Sequence, residues 1–201
     1  MEHKQIIISV GREFGSGGHA IAQELADRFG LQLYDSNLLQ EIADNKNLNV
    51  QNLRKYDEKP KIKLFSRSVQ GYSNSPEENI ANIQFDFLRE KANKGDSFVI
   101  VGRCAEEVLK NYSCMVSIFI LGDLEKKIQR IVELYGIREN KAENMIIQNN
   151  KKRKSYHNHY CKGKWGDSRN YELSINSSRL GLEKTTDFIE HYIKERIENM
   201  E

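Results

Sequence analysis

The chain alternates short apolar runs with longer amphipathic segments, a pattern typical of strands and helices that follow one another. Apolar runs too short for helices and rich in β-branched residues begin near residues 6, 97 and 114. Alternating apolar and polar residues indicate two further short strands, near residues 31 and 171. Strands that alternate with helices form a parallel sheet covered by helices on both faces. The pattern therefore predicts an α/β domain with five strands.

Apolar residues recur at helical spacing between these strands. In the clearest case an apolar stripe runs from Ile21 to Phe29, and Gly30 ends the helix. Ser75 and Pro76 provide a cap and a first-turn proline for another helix, which ends at Gly95. A short helix is predicted over 38–43, with Ser36 as its cap, and the asparagines of 45–52 interrupt it. Two further helices are predicted over 124–135 and 189–197. A turn is predicted at 176–178.

Four glycines, Gly11, Gly15, Gly17 and Gly18, lie between the first strand and the first helix. Glycine allows consecutive backbone N–H groups to turn toward one centre, and the helix start adds partial positive charge. The loop departs from the Walker A pattern, because Gly18 takes the lysine position and Ala20 takes a later hydroxyl position. A tight turn that binds nothing is the alternative, although so many glycines cost backbone entropy on folding. The pattern favours a phosphate-binding loop without the usual lysine.

The loop sequence GREFGSGG resembles that of the cytidylate kinase-like family, relatives of the P-loop nucleoside monophosphate kinases. The segments 34–36 (YDS) and 101–103 (VGR) are similar to that family too, and the resemblance covers nearly the whole chain. It implies a three-layer α/β/α P-loop NTPase fold, with a five-stranded parallel sheet of adenylate-kinase-like order. It also implies one kinase-like domain, 1–201, with an acceptor-side insertion and helix over about 45–95 and a basic helical lid over about 137–168.

The resemblance implies ATP as the phosphate donor, with Mg²⁺ bridging its phosphates. Arg12 or a lysine of the lid would replace the missing loop lysine, and Lys151 and Arg153 would close over the transferring group. A solvated basic face is the other interpretation of the run of cations at 151–154. The predicted nucleotide-binding residues are those of the loop: Gly11, Gly15, Ser16, Gly17, Gly18 and His19.

Three residues at predicted strand ends are candidates for binding the acceptor. Ligands of α/β sheets bind at the carboxyl ends of the strands, where Asp35, Ser36 and Arg103 are expected to lie. Asp35 and Ser36 resemble an acid-serine step near the acceptor nucleotide in related kinases, but they are equally an ordinary helix cap. An arginine fork suits phosphate, so we expect Arg103 to hold the acceptor phosphate. Cytidylate kinases continue with an acid where this chain has Cys104, which leaves the acceptor open.

The end of the lid contains possible metal ligands. If 157–161 were a strand, His157, His159 and Cys161 would share one face, and all three are side chains that bind zinc. No fourth ligand has a recognisable spacing, so we predict no metal site from the sequence. Trp165 lies in a predicted turn that closes the lid, where packing is favoured over stacking on a base.

Composition narrows the class of protein. The chain is 38% hydrophobic and 30% charged, and it contains neither an apolar run of membrane-spanning length nor a signal-peptide pattern, so we expect a soluble cytoplasmic protein. A net charge of +2 is too small to imply a nucleic-acid partner. Three cysteines without a C-x-x-C motif favour reduced thiols. Oligomeric state is left open.

The leading hypothesis is an ATP-dependent phosphotransferase of the cytidylate kinase-like type, which acts on a nucleoside monophosphate or a similar small acceptor. The missing lysine supports a second hypothesis, a regulator that binds a nucleotide without turning it over. A third hypothesis is a nucleic-acid binder that uses the run 151–154, although this patch is poor in aromatic residues.

Overall fold

A computed structural model describes residues 4–46, 50–51, 68–69, 72–73 and 76–199. These residues contain a five-stranded sheet, a two-stranded hairpin and helices. The strands are β1 (Ile7–Arg12), β2 (Gln32–Tyr34), β3 (Ser68–Val69), β4 (Tyr72–Ser73), β5 (Phe98–Val101), β6 (Met115–Leu121) and β7 (Leu173–Asn176). The helices are α1 (Gly18–Phe29), α2 (Leu38–Lys46), α3 (Pro76–Asn93), α4 (Ala105–Val108), α5 (Leu124–Tyr135), α6 (Glu139–Tyr160) and α7 (Ser177–Glu198), with a 3₁₀ turn at Ser168–Asn170.

The large sheet is entirely parallel and has the order β2-β5-β1-β6-β7. β1 lies in the middle, where Ile8 pairs with Val99 of β5 on one side and with Val116 of β6 on the other. All five strands predicted from the sequence are present, in the adenylate-kinase-like order. Parallel strands place their carboxyl ends at one edge of the sheet, so the segments that follow β1, β2 and β5 meet there.

Helices cover both faces of the sheet, which confirms the three-layer architecture. Ile8 and Val10 of β1 pack with Leu25 of α1 and Ile193 of α7 on one face. Ile7 belongs to the opposite core, because successive side chains of a strand point to opposite faces. That second core contains buried residues of α2 and α3, including Leu38, Leu39, Ile80 and Leu88. Among the described residues, none of the helices combines the length and apolar character needed to span a bilayer.

Several local predictions are corrected. The helix that begins at Leu38 continues through Asn45 to Lys46, past the predicted break. The predicted turn at 176–178 is the start of α7, because the Asn176 side chain caps that helix by accepting the Ser178 N–H at 2.9 Å. Residues 157–160 belong to α6 and not to a strand. Of the acceptor-side insertion and helix predicted over about 45–95, residues 47–49, 52–67, 70–71 and 74–75 lie outside the described residues.

Leu25→Ala tests the core between α1 and the sheet. Leu25 is fully buried, so we expect the substitution to lower the free energy of unfolding by about 2–5 kcal/mol. Leu134→Ala is the matched control, since Leu134 is 67% exposed and its loss should change stability by no more than about 0.5 kcal/mol. Urea unfolding followed by circular dichroism measures both, and equal losses would contradict this assignment of the core.

Candidate phosphoryl-transfer site

The phosphate loop, residues 11–19, connects the end of β1 to α1. Gly15 and Gly17 have φ angles of +82° and +80°, which L-residues with a side chain rarely adopt. Gly17 precedes the first residue of α1 and has no side chain with which to cap it. The first N–H groups of a helix lack intrahelical acceptors, so the start of α1 is suited to an anion.

Side chains from distant parts of the chain hold the carbonyl groups of this loop. Ser177 Oγ donates to the Ser16 carbonyl at 2.6 Å, and Arg130 Nη1 donates to the Gly15 carbonyl at 2.6 Å. The N–H and C=O groups of a trans peptide point in opposite directions. Fixing these carbonyls toward α5 and α7 therefore directs the amides that follow them to the other side of the loop. These contacts with α5 and α7 hold the loop in the observed arrangement.

An ion pair fixes the first part of the loop. Lys127 Nζ of α5 lies 2.7 Å from Glu13 Oε2, and the same oxygen accepts the Gly122 N–H at 3.2 Å. The Lys127 side chain is only 8% exposed, so it depends on this carboxylate for compensation of its charge. Asn150 of α6 also holds the loop, because its Oδ1 accepts the Phe14 N–H at 2.7 Å.

The Arg12 side chain explains why glycine occupies the lysine position. A Cβ added at Gly18 would lie 2.6 Å from Arg12 Cβ, and one added at Gly102 would lie 2.3 Å from Arg12 Nη1. The arginine therefore passes the start of α1 and extends to the turn after β5. A lysine at position 18 has no room unless Arg12 moves, and the guanidinium supplies positive charge close to the missing lysine.

Arg12, Arg103 and Arg153 line one small cavity at the carboxyl edge of the sheet. Arg153 Nη1 donates to the Arg12 carbonyl at 3.2 Å, and its guanidinium lies 5.5 Å from the centre of the Phe14 ring. Arg103 is 5% exposed, and its φ of +58° is unusual for a residue with a side chain. Three arginines that line one cavity favour a phosphate ligand.

A larger cavity of about 580 Å³ lies beside the first. The phosphate loop forms one wall and α5 forms another, with Arg130, Leu134 and Tyr135 at its border. Arg12 and Arg153 line both cavities and thus mark where the two meet. The volume falls within the usual range for small-molecule and cofactor sites.

Asp35 connects the end of β2 to the phosphate loop. Its Oδ2 lies 2.6 Å from Nε2 of His19, and its Oδ1 accepts the Asn37 N–H at 3.0 Å. Burial raises the pKa of Asp35, but these hydrogen bonds outweigh burial, so the pKa lies below its usual value. The Ser36 hydroxyl is 3.4 Å from Asp35 Oδ1 and makes no capping bond to α2 among those observed. Asp35 thus both orders the turn and contacts a residue of the larger cavity.

Comparison with known proteins identifies the family. Residues 7–179 match the cytidylate kinase-like family, which is most of the chain. The protein belongs to this family. No functionally curated protein matches the chain.

Solved structures support the same fold. An uncharacterized protein from Eubacterium ventriosum ATCC 27560 is 41% identical, with a TM-score of 0.76 over 94% of this chain and 99% of that one. Shikimate kinase from Bacteroides thetaiotaomicron is 14% identical, with a TM-score of 0.55 over 94% and 98% of the two chains. A gluconokinase from Sinorhizobium meliloti 1021 is 11% identical, with a TM-score of 0.58 over 99% and 97%. The last two show the fold alone.

The structure brings together the three arginines predicted for this cytidylate kinase-like site, since Arg12, Arg103 and Arg153 line one cavity. The predicted residues that line neither of the two cavities are Ser16, Asp35, Ser36 and Lys151, of which Lys151 is exposed. Residues two apart on a helix face different directions, so Arg153 turns inward where Lys151 does not. A catalytic role for Lys151 stays a prediction. Trp165 packs edge to face on Phe119 at 5.4 Å, in agreement with a packing role.

Sequence reasoning missed the side chains that support the loop from behind. Each of them lies more than 100 positions from its loop partner, so no local spacing could reveal the contact. Arg130 lies off the apolar stripe of α5, which is a weak sequence signal that this arginine contacts another part of the molecule. The missed residues are Glu13, Lys127, Arg130, Asn150 and Ser177.

Gly18→Lys tests whether Arg12 excludes the Walker lysine. We expect this substitution to lower the free energy of unfolding by about 1–3 kcal/mol, the usual cost of overpacking, because the new Cβ meets Arg12 Cβ. Ala20→Lys is the control, since it adds the same side chain to the same turn at an exposed position. Thermal unfolding compares the two variants. A Gly18→Lys protein as stable as the native one would contradict the steric argument.

Glu13→Gln tests the ion pair below the loop. Removing the carboxylate leaves the buried ammonium of Lys127 uncompensated, and we expect a loss of about 1–3 kcal/mol, moderated because Glu13 is 26% exposed. Combining it with Lys127→Met should restore part of this stability, since the uncompensated charge is then gone. Glu90→Gln breaks an exposed ion pair with Lys94 of the same 2.7 Å length and should change little. Equal effects of the two Glu→Gln variants would contradict the proposed support.

Proposed function

We propose that this protein is an ATP-dependent phosphotransferase that moves the γ-phosphate of ATP to a nucleoside monophosphate or a similar small acceptor. The observation that carries the proposal is the meeting of Arg12, Arg103 and Arg153 beside a preorganised phosphate loop. Phosphoryl transfer is catalysed mainly by positioning and by neutralising the charge that develops on the transferring group. Membership of a kinase-like family agrees with this reaction class.

In this proposal the larger cavity takes the donor nucleotide. The triphosphate lies along the amides of Gly15 to His19, and the base and ribose extend toward Leu134 and Tyr135. Magnesium bound with the nucleotide would neutralise its phosphates. Mg²⁺ in such sites is usually held by one or two carboxylates together with substrate phosphates and water. Asp35 would be the carboxylate that holds it, because its Oδ2 lies 2.6 Å from Nε2 of His19 in the phosphate loop.

The smaller cavity takes the phosphate of the acceptor. Arg103 grips that phosphate, and Asp35 and Ser36 orient the rest of the acceptor from the neighbouring strand end. Arg12 stands in for the missing loop lysine, and Arg153 brings charge from α6 when the donor is in place. Lys151 would join them only if the lid rotates on closure. The acceptor is kept general because Cys104 replaces the acid expected after Arg103 in cytidylate kinases.

A regulator that binds nucleotides without turnover is the second candidate. The observation that favours it is the glycine at position 18, where related loops carry a catalytic lysine. It shares the donor site with the kinase and differs only in the absence of transfer. The cytoplasmic location and a nucleotide as the partner, in preference to nucleic acid, stay predictions.

The experiment is calorimetric titration with Mg·ATP, followed by a coupled assay of ADP release across nucleoside monophosphates and small hydroxyl acceptors. We expect ATP binding and release that depends on one acceptor class. Arg153→Ala should lower kcat by about 100-fold or more, the typical cost of removing one donor to the transition state. Arg89→Ala, an exposed position on α3, is the control and should leave kcat unchanged.

The outcomes separate the hypotheses. Binding without release from any acceptor supports the regulator. If ATP does not bind, both the kinase hypothesis and the regulator hypothesis are contradicted, because both depend on the phosphate loop. Affinity for polynucleotide that falls steeply with salt, with none for mononucleotides, would support the nucleic-acid binder instead.

A further inference from the structure

Three potential metal ligands meet, with a cysteine packed beside them, where the predicted lid, residues 137–168, joins the rest of the molecule. Nε2 of His157 lies 2.5 Å from Oε1 of Glu106. The ligand atoms of Glu106, His157 and Cys161 all lie within 4.8 Å of one another. Cys161 packs against the buried cluster that contains Cys104, whose sulfur lies outside this 4.8 Å group. Cys104, Glu106 and His157 are each less than 9% exposed. Phosphoryl transfer uses none of these groups in the proposal above.

Two separate elements supply the four side chains. Cys104 and Glu106 come from the turn after β5 and the start of α4. His157 lies in the last turn of α6, and Cys161 directly follows the helix. His159 is exposed. This cluster differs from the set of His157, His159 and Cys161 considered from the sequence, and spacing alone could not reveal Cys104 and Glu106.

We propose that Cys104, Glu106, His157 and Cys161 form a tetrahedral zinc-binding site. Thiolate, imidazole and carboxylate are the three ligand types that zinc uses in proteins. Zinc–ligand bonds of about 2.0 to 2.3 Å set the ligand atoms of a tetrahedron roughly 3.3 to 3.8 Å apart. Glu106, His157 and Cys161 approach this spacing, and Cys104 would turn its side chain toward them to complete the tetrahedron. Four protein ligands leave no open position, which is typical of a structural site.

The surroundings of the cluster meet two further requirements of a metal site. A cavity of about 160 Å³, lined by Glu106, His157 and Cys161, gives an ion a route to the cluster. The second ring nitrogen of His157 has an acceptor, because its Nδ1 lies 3.4 Å from Oδ1 of Asn158. The Trp165 N–H donates to that same oxygen at 2.9 Å and fixes it in place. Such a partner holds Nε2 toward the metal.

Binding is an exchange of protons for the metal ion. Zinc forms bonds to two sulfur atoms, to Nε2 and to a Glu106 oxygen, while two thiol protons and the proton between His157 and Glu106 pass to solvent. Nothing is oxidised or reduced. The bound ion would tie the end of α6 to the turn that carries Arg103.

The test uses the full-length protein, purified without chelator and analysed for metal by mass spectrometry. Protein stripped of metal is then titrated with Zn²⁺ and, separately, with Co²⁺. We expect one zinc per chain, a higher Tm in the presence of zinc, and thiolate-to-cobalt charge-transfer absorption. His157→Ala and Cys161→Ser should each weaken zinc binding by more than about 10-fold, since even a second-shell partner contributes that much. Cys161→Ser should also weaken the cobalt absorption, because one thiolate is lost.

The chain supplies two matched controls. His159→Ala removes the neighbouring histidine of α6, and Cys114→Ser removes the cysteine outside the cluster, so neither should change affinity or absorption. Affinity unchanged in Cys161→Ser, or cobalt bound without thiolate absorption, would overturn the site. A stable Cys104–Cys161 disulfide in the protein as purified, with no zinc bound after reduction, would overturn it too. None of these readouts depends on ATP binding or phosphate transfer.

Discussion

The path of one arginine governs the arrangement of the site. Arg12 leaves the end of β1, passes Gly18 at the start of α1 and reaches Gly102 after β5, and a Cβ added at either glycine would meet its side chain. The loop carries glycine at the Walker lysine position, and an arginine ends the strand before it. Because Arg12 borders both cavities, its charge lies where donor and acceptor phosphates would meet. A planar guanidinium can contact both at once, which a lysine ammonium does less well.

Side chains from α5, α6 and α7 hold the phosphate loop in place. Lys127 and Arg130 of α5 and Ser177 of α7 contact a carboxylate and two carbonyl groups of the loop, and Asn150 of α6 accepts the Phe14 N–H. Preorganised donors contribute most to catalysis because they need not reorganise as charge develops. Two helices that follow β6 and β7 thereby contribute to a site formed by β1.

Helix α6 links the phosphate loop to the base of the lid. Asn150 and Arg153 contact the loop, and one turn later His157 meets Glu106 near the turn that carries Arg103. A helix transmits displacement along its axis because its hydrogen bonds make it stiff. The contacts that fix the end of α6 therefore also fix the distance between Arg153 and Arg103.

The sequence by itself determined the five strands, the glycine loop and the placement of Arg12 and Arg103 at one edge of the sheet. The spacing of apolar residues shows strands and helices locally, and the carboxyl ends of parallel strands always lie at the same edge. Tertiary structure alone decided that Arg153 faces inward, that Glu13 pairs with Lys127, and that Glu106 joins His157. These contacts join residues far apart in the chain, and only the packing of α5 and α6 against the sheet edge brings them together.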